Sequence, residues 1–184
     1  MFARLTTSLS LALLGAGAHA AAPTATVTSS SVPVSFAEFA STAVVGEGLI
    51  NTSTLYFVDE KSGLLGDSWY IFFEPKRVET LTATITFDSA ITAIFTTQAG
   101  LAGSSAYQSS AVNYSYANQF VGLEARTDSY SYSGNTLTFT VSAKDPGDHF
   151  RVVTSPVPEP TTYALMAAGL IAVGFAAKRR SDNS

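Results

Sequence analysis

The 184-residue chain contains no cysteine. Thiolate nucleophiles, iron–sulfur clusters and cysteine-ligated zinc are excluded, and the fold must hold without a disulfide. Histidine is almost as scarce, with only His19 and His149. Charged residues make up 13% of the chain, and no stretch of its middle sustains the 3.6-residue apolar period of an amphipathic helix. Also missing are a Gly-x-Ser-x-Gly elbow, a His-Glu-x-x-His pair, a phosphate loop and a dinucleotide fingerprint. His149 beside Asp148 thus has no nucleophile to serve, and a lone histidine next to a turn is expected at the surface. Glu124 and Asp128 are carboxylates of the type that glycoside cleavage uses, but no spacing singles them out. The expectation is a non-catalytic protein with no cofactor and no metal centre.

The informative features sit at the two ends. Arg4 provides a positive n-region, and the run around Leu9 to Leu14 a short apolar h-region. Ala18-His19-Ala20 fits the small-x-small rule of signal peptidase. Residues 1–20 therefore read as a signal peptide for the Sec translocon, with Ala21 as the first mature residue. At the other end Val157-Pro158-Glu159-Pro160 precedes residues 161–177, which are free of charge, and Lys178-Arg179-Arg180 follows four residues from the terminus. As a helix at about 1.5 Å per residue, 161–177 spans roughly 25 Å, near the lower limit for a hydrocarbon core of about 30 Å. The basic cluster is a stop on the cytoplasmic side. Pro158 and Pro160 cannot continue a helix and hold Glu159 extended just outside the bilayer.

This order of motif, short span and basic stop resembles the PEP-CTERM sorting signal of Gram-negative bacteria. The resemblance implies recognition and processing by an integral-membrane exosortase, with a transient stay in the inner membrane before release to the cell surface or extracellular matrix. It also implies a setting of exopolysaccharide or biofilm. The resemblance covers residues 156–184, leaving 21–155 as an extracytoplasmic domain.

That domain carries the acidity. Between Ala21 and Pro160 there are six Lys or Arg and thirteen Asp or Glu, a net of −7 against −4 for the whole chain. An acidic body with scattered basic residues has no footprint for nucleic acid. About 130 residues are enough for a single hydrophobic core.

The middle reads as β-rich. Leu81, Ala83, Ile85 and Phe87 alternate with Thr80, Thr82, Thr84 and Thr86, as in a half-buried antiparallel strand. Further strands are expected at Leu55–Val58, Trp69–Phe73, Ile91–Thr97 and Phe150–Val153. A hairpin is expected where Tyr130–Tyr132 leads through Ser133-Gly134-Asn135 into Thr136–Val141. Ala99–Ala117, rich in Gly and Ser, is expected as a long surface loop. Short strands with frequent turns point to an antiparallel β-sandwich or jelly-roll.

Leu65 to Phe73 also looks like the Phe-x-Asp-x-Phe strand of one group of PEP-CTERM proteins. Here Leu65 and Trp69 replace the phenylalanines and Asp67 is kept. The group implies no biochemical activity. Asp67 is expected to cap a turn, or to ligate calcium with Asp59, Glu60 or Asp128. Trp69 beside Tyr70 could form a sugar-stacking platform, although adjacent strand residues face opposite ways and at least one belongs to the core. Tyr107, Tyr114, Tyr116, Tyr130 and Tyr132 suit either polysaccharide stacking or an ordinary β-surface. Two readings follow: an exported matrix protein associated with extracellular polysaccharide, or a lectin-like, calcium-dependent carbohydrate-binding module delivered by the same route.

Overall fold

The computed structural model describes residues 20–62, 66–156, 165–166 and 168–171. Ala18, Leu65, Val157, Pro158, Glu159, Pro160, Lys178, Arg179 and Arg180 lie outside the described residues. Within the compact body His19–Val157, nine strands form two sheets. The first sheet has the order β1-β5-β8-β7, from Thr24–Ser30, Glu79–Thr86, Thr136–Ala143 and Ser129–Ser133. All its pairs are antiparallel. The second has the order β2-β3-β4-β9-β6, from Ser35–Glu38, Thr54–Lys61, Asp67–Phe73, Asp148–Thr154 and Ile91–Phe95. Here β2 runs parallel to β3, the one departure from the antiparallel expectation. Strands β1 and β2 were not foreseen: neither has an apolar face marked enough to stand out in sequence.

Period-2 alternation builds the space between the sheets. Leu81, Ala83 and Ile85 of β5, with Leu137, Phe139 and Val141 of β8, meet Leu55, Phe57, Trp69, Ile71, Phe73, Phe150 and Val152 of the second sheet. The threonines of β5 turn outward and pair with those of β8. Thr82 and Thr140 hydroxyls are 3.0 Å apart, and Thr84 and Thr138 3.1 Å. The β7–β8 hairpin closes through Gly134 at φ 59°, a backbone setting that glycine adopts without steric cost. Its tip is clamped to the far end of β5, because Asn135 Nδ2 donates to the Phe87 carbonyl at 2.6 Å.

The second sheet is buried on both faces. Its outer face presents Val58, Tyr70 and Phe72, and two irregular segments cover it with Phe39, Val45, Leu101 and Val121. The segment expected as a long surface loop is therefore a lid on a second core. It contains the helix α1, Gln98–Gly103, capped by the Thr97 hydroxyl, and buries Leu101 completely. The two covering segments join each other through a Val45–Tyr114 bridge. Gly46, at φ 92°, lets its backbone pass so close that a Cβ would stand 2.4 Å from the Ser115 carbonyl oxygen.

Arg151 holds this cover in place. It lies in the middle of β9, on the outer face, with a side chain fully removed from solvent. Its guanidinium makes a bidentate pair with Glu60, Nε to Oε2 at 2.6 Å and Nη2 to Oε1 at 2.8 Å. Nη1 donates to the carbonyls of Leu101 at 3.0 Å and Ser104 at 3.1 Å, and also to the Ser104 hydroxyl. Nη2 donates to the Tyr116 hydroxyl at 3.2 Å, and the Tyr70 ring lies 5.2 Å from the guanidinium carbon. Ser68 donates to Glu60 at 2.8 Å. Burial works against the charge on Arg151, but the bonds it donates to Glu60, with that carboxylate's charge, outweigh it and hold the guanidinium above its ordinary pKa.

Outside the body, Leu165, Met166 and residues 168–171 are helical, with Leu165, Met166, Leu170 and Ile171 exposed. Among the described residues no helix is long and apolar enough to cross a membrane.

Removing one partner of a buried, hydrogen-bonded ion pair costs about 3–5 kcal/mol, whereas replacing both with apolar residues is often near neutral. Glu60→Gln is expected to destabilise the protein by that amount, and Glu60→Met with Arg151→Met to recover only part of it, because the Leu101 and Ser104 carbonyls then lose their donor. Urea unfolding followed by fluorescence of Trp69, the single tryptophan, measures both.

Candidate functional site

Among the described residues, two groups of buried titratable side chains stand apart from the Arg151 network and from Asp67. The first joins β9 to the end of β4. His149 is fully buried, not on the surface as expected, because it shares the outer face with Arg151 and lies under the cover. Its ring stacks on Phe72 at 5.6 Å, and Nε2 lies 2.9 Å from the Pro146 carbonyl, which makes that nitrogen the donor. Burial lowers its pKa to about 4, so the ring is neutral at physiological pH. Glu74, just beyond β4, accepts the Gly46 N–H at 2.6 Å. Burial pushes its pKa up to about 7, against the lowering effect of backbone bonds from Gly46 and Ile50. No hydrolytic pairing of His149 with Asp148 arises, since the imidazole is spent on a turn carbonyl and on stacking.

The second group is a cluster of three carboxylates. Glu124 and Asp128 lie in the turn region before β7, and Asp148 is the first residue of β9. One oxygen from each lies within 4.8 Å of the others. The Glu124 and Ser142 N–H groups donate to the two oxygens of Asp128 at 2.6 and 3.0 Å, which fixes that carboxylate. Asp148 is 3% exposed and its Oδ2 has no hydrogen-bond partner. Its burial, and then the charges of Asp128 and Glu124, push its pKa up to about 9. Glu124 is half-buried and is also raised, by burial first and then by Asp128. The cluster opens onto a groove of about 560 Å³ lined also by Val78, Asn118, Phe120 and Asp145. Val78 and Phe120 are both well exposed, so apolar surface borders the carboxylates.

In sequence Glu124 and Asp128 were only two carboxylates among others that no spacing singled out. Asp148 completes the set through the strand that returns it beside them. The residues expected to bind a ligand fare differently. Asp67 opens β4, 3% exposed, on the inner side by alternation with Trp69, and residues 63–65 of the expected turn before it lie outside the described residues. Its suggested calcium partner Glu60 faces the other side, engaged by Arg151 and Ser68. Asp128 belongs to the Glu124–Asp148 cluster. Trp69 is 1% exposed, with Phe57 and Phe87 against it, so no sugar reaches its ring. Tyr70 is buried on the opposite face, so both members of the expected platform are core. Tyr114 and Tyr116 pack into the cover, while Tyr130 and Tyr132 stay exposed on the edge strand β7.

Residues 156–180 match the family model described as the PEP-CTERM protein-sorting motif. No curated protein and no solved structure matches the chain. The chain thus carries a PEP-CTERM sorting motif at its C-terminal end, which marks an extracellular protein sorted by an exosortase in Gram-negative bacteria.

Glu74 generates a pH prediction. With its folded pKa raised from 4.5 to about 7, its favourable contribution is complete at low pH and drains away as pH climbs through 7. Glu74→Gln keeps an acceptor for Gly46 without the titration. Its urea midpoint relative to the unaltered protein is expected to rise between pH 5 and pH 8; a constant difference contradicts the assignment.

Proposed function

We infer that this chain is a non-catalytic component of the cell surface or extracellular matrix, associated with exopolysaccharide or biofilm and released there by exosortase processing. The observation that carries this reading is the sorting motif at 156–180. The 17 uncharged residues 161–177 serve as a transient inner-membrane span, and Lys178, Arg179 and Arg180 as the cytoplasmic stop. Glu159, between Pro158 and Pro160, is the residue offered to an intramembrane enzyme.

The geometry of the N-terminal side supports export through signal peptidase cleavage after Ala20. The Ala21 N–H donates to Asp88 Oδ2 at 2.8 Å. Cleavage there converts that amide into an α-ammonium, and the bond into a charge-assisted one. Ala20 is 6% exposed in the folded body, so cleavage must precede folding, as it does for a chain cut during translocation. The neutral, buried His149 and the guanidinium locked onto Glu60 support a body built for rigidity rather than turnover.

A second reading, a carbohydrate-binding module on the same delivery route, is favoured by one feature. Exposed Phe120 borders the groove that also presents Glu124 and Asp148, and aromatic faces beside carboxylates suit a sugar. Its site is then this groove and not Trp69.

Replacing Pro158-Glu159-Pro160 by three alanines is expected to leave full-length protein in the inner membrane of a host that has an exosortase. Mass spectrometry of the C-terminus and membrane fractionation read the outcome, and unaltered processing would overturn the sorting reading. Glycan-array binding that is lost in Phe120→Ala would select the second reading over the first.

A further inference from the structure

Neither sorting nor matrix association uses the carboxylates of the groove. We propose that Glu124, Asp128 and Asp148 form a divalent-cation site whose ligand is Ca²⁺. Their mutual oxygen separations are within 4.8 Å, so an ion at their centre lies no more than about 2.8 Å from each, a few tenths of an ångström from a Ca–O contact of about 2.4 Å that small side-chain shifts would close. An acidic cluster alone says little, and the decisive observation is Asp148. It is 3% exposed, and its Oδ2 is buried without a donor. A desolvated carboxylate oxygen with no partner is costly, and native structures compensate such groups with a hydrogen bond or an ion. Asp148 shares a side-chain hydrogen bond with Glu124 and faces Asp128, and Lys144 lines the same groove, yet none of them bonds Oδ2.

The other two ligands are suitably prepared. Asp128 is oriented by two backbone N–H groups, and each of its oxygens keeps a lone pair for a metal. Glu124 sits half-buried at the groove. The donors are all oxygen, which selects a hard cation over zinc or copper. Three protein ligands leave the remaining positions to water entering from the groove. Ca²⁺ accepts such an irregular, partly hydrated shell more readily than Mg²⁺, which demands near-octahedral geometry.

The location gives the ion a mechanical role. Glu124 and Asp128 precede β7 of the first sheet, while Asp148 opens β9 of the second. An ion here ties the sheets together at one end of the sandwich, in a chain that has no cysteine for a disulfide. Export favours calcium as well, since extracellular modules bind it at about 10⁻⁴–10⁻³ M, and for this the site rests on the proposed export.

The test uses the full chain purified in detergent and stripped with EGTA. Equilibrium dialysis against ⁴⁵Ca²⁺ is expected to show one ion per chain with Kd of about 10⁻⁴–10⁻³ M, accompanied by a rise in Tm that Mg²⁺ reproduces only weakly. Glu124→Gln and Asp148→Asn are each expected to weaken binding by at least about tenfold. In EGTA, Asp148→Asn should be no less stable than the unaltered protein, because the amide replaces a buried carboxyl that is held protonated when no ion is bound. Should Asp148→Asn fail to fold, Glu124→Gln alone decides. Absence of saturable binding up to about 10 mM, or variants that bind like the unaltered chain, would overturn the site. Tail processing is a separate readout: if it fails while calcium binds, the sorting reading falls and the site stands.

Discussion

The buried pair of Arg151 and Glu60 is the interaction on which the outer half of the body depends. A sheet with one face on a partner sheet would leave its other face wet. Here that face is apolar along Val58, Tyr70 and Phe72, and must be covered. The covering segments have little secondary structure to satisfy their own backbone, and buried carbonyls without partners are costly. Arg151 resolves both problems at once. Glu60 neutralises it, and its remaining N–H groups serve Leu101, Ser104 and Tyr116, which belong to the cover. A methionine could fill the same space but could not bind three points of an irregular segment. Charge inside this protein therefore works as a fastener, which suits the reading of a rigid extracellular body.

The acidic cluster occupies the complementary position, at the end of the sandwich where the segment before β7 meets β9. Its three carboxylates crowd together with one of them deeply buried. Burial raises the pKa of Glu124 and of Asp148 above the ordinary carboxylate range. Glu60 is answered by the opposite charge of Arg151, whereas the clustered carboxylates crowd like groups together, and an ion would supply the missing positive charge. Both features answer the same constraint: with no disulfide available, irregular segments are bound to the sheets by electrostatics.

Much of the sandwich was legible because half-buried strands announce themselves by alternation. The strands at Leu55, Trp69, Thr80, Ile91, Thr136 and Phe150 all form, displaced at their ends by a few residues. The cover was not legible. Ala99–Ala117 has the Gly and Ser content of a solvated loop, and only Leu101 within its first turns hints at burial. Trp69 and Asp67 looked like ligand residues because aromatic and acidic side chains commonly are. Their fate was set by which face of β4 they share, and that face is the core. One signal was available and unused. Arg151 stands alone between Phe150 and Val152-Val153, and a single charge inside an apolar strand calls for a buried partner.

By itself the sequence determined the address of this protein and the class of its fold. Both are local properties: a motif, an uncharged run and a basic stop read in order, and side chains alternating along single strands. Only the tertiary structure decided which charges meet. Glu60 and Arg151 are separated by 91 residues, and Asp148 joins Glu124 and Asp128 only when β9 pairs between β4 and β6. Long-range pairing of this kind depends on sheet order and register, and sheet order leaves no periodic trace in a single chain.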